Sequence, residues 1–60
     1  MYQIIKIETG ANWTDAKVYD VCLADNFDDA RRWAYQRSSN DAHYTYYVVN
    51  KTTGHVEYYI

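Results

Sequence analysis

The sequence predicts an α+β fold, a four-stranded antiparallel sheet in the order ββαββ along the chain with one helix packed on one face. Three observations lead there. Apolar and β-branched residues cluster in two short runs near the N-terminus, a helical stripe follows a strong cap in the middle, and two alternating runs flank a glycine turn at the end. At 60 residues and 7.1 kDa there is room for one domain, residues 1–60. No repeat, linker or low-complexity stretch divides it.

Residues 2–9 read as the first strand, rich in isoleucine and closed by Gly10. Ile5 and Ile7 mark one face, Ile4 and Tyr2 the other, so alternation alone leaves the buried face open. Residues 10–15 have the composition of a loop. Residues 16–24 form the second strand, with Val18, Tyr19, Val21, Cys22 and Leu23 on both faces, a pattern that suits a central position.

The helix begins at Asn26. An Asx cap is followed three residues later by Asp29, which can return a hydrogen bond, and Asp28 and Asp29 sit where the helix dipole favours negative charge. Phe27, Ala30, Trp33 and Ala34 fall on one stripe, while Arg31, Arg32, Gln36 and Arg37 fall off it. Ser38, Ser39, Asn40 and Asp41 end the element.

A hairpin closes the chain. Tyr44, Tyr46 and Val48 alternate with His43, Thr45, Tyr47 and Val49; after the turn at 50–54, Val56, Tyr58 and Ile60 alternate with His55, Glu57 and Tyr59. The expected register sets Val48 against Val56, Tyr46 against Tyr58 and Tyr44 against Ile60 under the helix. Tyr47 against Glu57 and Val49 against His55 then form a mixed outer face, with Tyr59 diagonal to Tyr47.

Composition narrows the function. Disorder is excluded by 18% aromatic content, and no apolar run is long enough to span a membrane, so a soluble cytoplasmic chain is expected. Cys22 is the only cysteine, and His43 and His55 lack ligand spacing, so neither a disulfide, a metal site nor a cofactor is expected. Ser38 and Ser39 have His43 nearby but no glycine-rich elbow. The expectation is therefore a protein without enzymatic activity.

Two features remain. Asp20, Asp25, Asp28 and Asp29 fall within ten residues that hold no lysine or arginine. Part of this is helix capping; the rest is read as an acidic patch that steers the chain to a basic surface on a host protein. Eight tyrosines are the second feature. Tyr44, Tyr46, Tyr58 and Trp33 are accounted for as core, whereas Trp13, Tyr47 and Tyr59 remain as anchors for a partner or for a homodimer. Nucleic-acid binding through the tyrosine face with Arg31, Arg32 and Arg37 is the alternative, opposed by a net charge of −2 and the lack of a basic stripe.

The two leading strands, the N-F-D-D-A-R-R-W-A helix and the Y-Y-V-V-N-K-T-T-G-H-V-E-Y hairpin resemble the small orphan proteins of bacteriophages and prophages. The layout is similar to the phage-encoded inhibitors of bacterial RNA polymerase and to small acidic α+β anti-CRISPR proteins. The resemblance spans most of the chain as an order of elements and carries no residue roles. It implies a stoichiometric blocker of a host nucleic-acid machine, acting inside the host cell; a prophage structural or dimerising protein is a further alternative.

Overall fold

The computed structural model describes residues 1–12 and 14–60. Its elements are β1 (Tyr2–Glu8), β2 (Val18–Ala24), α1 (Phe27–Ser38), β3 (Tyr44–Asn50) and β4 (Val56–Tyr59). The four strands make one antiparallel sheet in the spatial order β2-β1-β3-β4, and α1 lies against β3, β1 and β2. The α+β class and the one-helix layer are as the sequence predicts.

The position of β2 is not. It forms an edge, and β1 and β3 are the central pair. The misleading signal has a local cause. Ile4 pairs with Cys22 but Ile5 pairs with Asp20, so Val21 is an extra residue in β2. Such a bulge breaks the alternation, and Val21 packs with its neighbour Cys22 against the core. A strand with one out-of-phase residue shows apolar side chains on both faces without being covered on both.

The ladders assign the faces. Ile4 pairs with Cys22 and Val48, and Tyr2 with Ala24 and Asn50, so these residues share the face beneath α1. The core cluster is Ile4, Ala24, Ala30, Ala34, Tyr46 and Val48, with Tyr2, Phe27, Tyr44 and Tyr58 packed around it. Phe27 stands edge-on to Tyr2 and Tyr58, with centroids 5.7 and 6.4 Å away. Ile5 and Ile7 therefore belong to the opposite, outer face.

The cap forms as expected at one end of α1. Asn26 Oδ1 accepts from the Asp29 backbone N–H at 2.9 Å, and Asn26 Nδ2 donates to Asp29 Oδ2 at 3.1 Å. At the other end the Ser38 and Ser39 hydroxyls donate to the Tyr35 and Gln36 carbonyls, satisfying groups that a helix end leaves open. Trp33 departs from expectation. Although it lies on the apolar stripe, its side chain is 45% exposed. Ala30 and Ala34, both fully buried, bring the helix backbone close to the sheet, and a ring as large as indole lies at the flank.

The final hairpin changes its register, and with it the face on which Val56 lies. Val48 pairs with Tyr58 and Tyr47 with Tyr59, while Val49 pairs with Val56, leaving Glu57 as the extra residue of a second bulge. Reciprocal backbone hydrogen bonds of 2.8 and 2.9 Å set Tyr46 opposite Ile60. Tyr46 thus faces Ile60 and not Tyr58, and Tyr44 has lost its predicted partner. Val56, expected in the core, sits beside Val49 on the outer face and is half exposed. Gly54 closes the turn at φ +78°, donating its N–H to the Asn50 carbonyl at 2.7 Å.

Candidate functional site

The sheet has two faces and one helix among the described residues, so the outer face carries no helical layer. Its cross-strand pairs run Leu23–Gln3–Val49–Val56 and Asp20–Ile5–Tyr47–Tyr59, with Val18–Ile7–Thr45 below. Tyr59 is 69% exposed, Val18 56%, Leu23 53% and Val56 50%. The Tyr47 and Tyr59 rings lie 6.1 Å apart with planes tilted by 31°. The bulge in β4 makes this face more apolar than the alternation predicts, because it replaces His55 by Val56 beside Val49.

The four predicted acids do not form one patch. Asp20 belongs to the outer face, where the Gln3 amide donates to its Oδ1. Asp25 lies beyond Ala24, about 13 Å further along the strand at about 3.3 Å per residue. Asp29 is occupied by the Asn26 cap, and its Oδ1 stands 4.0 Å from the Arg32 guanidinium. Asp25 and Asp28 remain, exposed at the β2–α1 junction and unpaired among the described residues. Trp13, the remaining predicted anchor, lies outside the described residues.

A cleft of about 520 Å³ opens on the helix side, lined by Lys6, Trp33, Gln36, Arg37, Asn40, Asp41 and Tyr46. Sequence reading missed it because Lys6 and Asp41 are 35 residues apart. Lys6 Nζ sits 3.3 Å from Asp41 Oδ2 and 4.4 Å from the centre of the Tyr44 ring. The Tyr46 hydroxyl donates to the same carboxylate oxygen at 3.0 Å. The hydrogen bond to Asp41 raises the Lys6 pKa against the opposing effect of desolvation. Burial first, and then the Asp41 bond, raise that of Tyr46. Both groups therefore stay protonated at neutral pH, and the trio ties β1, β3 and the α1–β3 connection together. Beside it the Arg37 guanidinium lies 5.5 Å from the centre of the Trp33 ring.

Among the described residues no three histidine, cysteine, aspartate or glutamate side chains come together to hold a metal ion. No described helix is long and apolar enough to cross a membrane. Comparison with protein-family models, with curated proteins and with solved structures gives no match to this chain.

Proposed function

We propose that the chain is a non-enzymatic protein-binding module of the phage-inhibitor type, an anti-CRISPR-like blocker that works in the host cytoplasm by occupying the surface of a nucleic-acid machine. The observation that carries this reading is the outer sheet face, broad and apolar, with four side chains at least half exposed on it. Exposed apolar surface of that extent on a small domain marks a protein contact. Asp25 and Asp28 add unpaired negative charge at a corner of the molecule, suited to steering the chain toward a basic surface.

The arrangement argues against the nucleic-acid alternative. Arg31, Arg32 and Arg37 ride on the helix, whereas Tyr47 and Tyr59 stand on the opposite side of the sheet. Stacking rings and phosphate-neutralising cations need to line one surface, and here they point to opposite sides.

Immobilised protein should capture its target from bacterial lysate. Asp25→Lys combined with Asp28→Lys should weaken that capture while leaving the circular dichroism spectrum unchanged. Capture that is indifferent to both charges would remove the acidic corner from the reading. A mobility shift of DNA or RNA that fades steeply with salt would favour nucleic acid instead.

A further inference from the structure

We infer that the cleft on the helix side binds a monocarboxylate carried on a flat apolar ring, with Arg37 holding the carboxylate and Trp33 the ring. The inference goes beyond the reading of the outer face and does not depend on it, since the cleft opens on the other side of the sheet.

The first argument is an unpaired guanidinium. Arg37 and Asp41 stand four residues apart, the spacing at which a helix pairs opposite charges. α1 ends at Ser38, however, and Asp41 turns instead to Lys6 and the Tyr46 hydroxyl, at 3.3 and 3.0 Å. Among the described residues the Arg37 guanidinium therefore makes no ion pair and donates no hydrogen bond. Its fork of N–H donors suits two parallel bonds to one carboxylate. It is also placed in advance, 5.5 Å from the centre of the Trp33 ring, so less side-chain freedom is lost on binding.

Charge selects the ligand. Lys6, Arg37 and Asp41 are the charged groups that line the cleft, two cations and one carboxylate, which leaves one positive charge in surplus. Arg37 lies in the last turn of α1, at the negative end of the helix dipole. Asp41 and that dipole both oppose a second negative charge, so a carboxylate fits where a phosphate dianion does not. The guanidinium is felt inside the cleft. Burial and the Asp41 bond raise the Tyr46 pKa, and the Arg37 charge opposes them.

Size and exposure call for the ring. The volume of about 520 Å³ falls within the roughly 300–1,000 Å³ of small-molecule sites. An ion pair this open to water contributes little alone, so apolar contact must supply the rest. Trp33 offers it, because the indole lines the cleft and is still 45% exposed. A planar ring packs well against such a surface.

Two-dimensional NMR of the full chain at constant ionic strength, following the Trp33 indole and Arg37 Nε–H signals, tests this with benzoate as the probe. The expected result is a saturable shift with its half-point at about 1–10 mM. Arg37→Gln should weaken binding about tenfold, and Arg37→Lys, which keeps the charge and loses the fork, about threefold or more. Arg32→Gln, outside the cleft on the same helix, should leave it unchanged. All these side chains are exposed, so the variants should stay folded, which circular dichroism checks. Acetate, which lacks the ring, and the phenyl phosphate dianion, which adds a charge, should each bind several-fold more weakly than benzoate. A short peptide ending in phenylalanine with a free carboxylate separates the two sources of such a ligand. Tighter binding than benzoate assigns the cleft to a chain terminus, and weaker binding assigns it to a free metabolite. Benzoate shifts that do not saturate, or that are unchanged in Arg37→Gln, overturn the inference, as does tighter binding of phenyl phosphate.

Discussion

Replacing Ile4 by alanine tests the placement of the core more directly than any other change, because alternation in β1 is compatible with either face being buried. Ile4 is 0% exposed and sits between Cys22 and Val48, beneath Ala30 and Ala34. The substitution removes three carbon groups, about 2.4 kcal/mol of transfer free energy at about 0.8 kcal/mol each. The cavity left behind brings the total to about 3–4 kcal/mol. A domain of this length holds only about 3–9 kcal/mol of stability, so the variant should lie near its unfolding limit. With a urea slope of about 1 kcal/mol per molar, the midpoint should fall by about 3 M. The comparison is Ile5→Ala, one residue along on the half-buried outer face, which should cost about 1 kcal/mol or less when both are measured by circular dichroism. Equal losses, or a larger loss at Ile5, would refute the assignment of the inner face.

Three further outcomes follow from local chemistry. Asn26→Ala should cost about 1 kcal/mol in the same urea titration, because the Asp29 N–H loses its acceptor, while Asn26→Asp should retain most of the stability. Gly54→Ala should cost about 1 kcal/mol through backbone strain alone, since a methyl group there meets no atom within 4 Å while φ stays at +78°; a neutral result would mean that the turn relaxes. Stability should be flat from neutral pH to about 10 and fall above it. Lys6 and Tyr46 both bind their protons more tightly in the folded chain than in the unfolded one, so their contribution is complete below the unfolded values of 10.5 and 10.0 and is lost as pH rises through the folded ones. Asp41→Asn should lower neutral-pH stability and flatten this alkaline fall; a wild-type stability that increases above pH 10 would contradict the sign.

The parts of the fold legible in the sequence are those set by near neighbours. Asn26 and Asp29 announce a helix start because the cap is made within three residues, and Gly54 announces a turn because few other residues adopt its backbone angles. The two bulges were hidden. Val21 and Glu57 are ordinary strand residues, no glycine marks either position, and one extra residue in a period of two is invisible until the neighbouring strand is known. Each had a consequence. The first made β2 resemble a central strand, and the second moved Val56 from core to surface. Trp33 shows a different limit, since helical spacing gives direction but not depth, and close approach at Ala30 and Ala34 leaves no room for a large ring. For the candidate site, the exposure of Tyr59 followed from alternation. The partition of the acids did not, because it depends on Gln3 reaching Asp20 across the β1–β2 pair.

Two-sidedness links the core to the proposed activity. The helix covers one face of the sheet, so the outer face with Tyr59 and the β2–α1 junction with Asp25 and Asp28 are separate surfaces of one chain. The acidic junction contributes steering, which salt screens within about a Debye length. The two functions of the surface are thus separable by substitution. Tyr59→Lys should weaken capture at any salt concentration, whereas Asp25→Lys with Asp28→Lys should weaken it most at low salt. An equal salt dependence of the two changes would mean that one surface serves both roles.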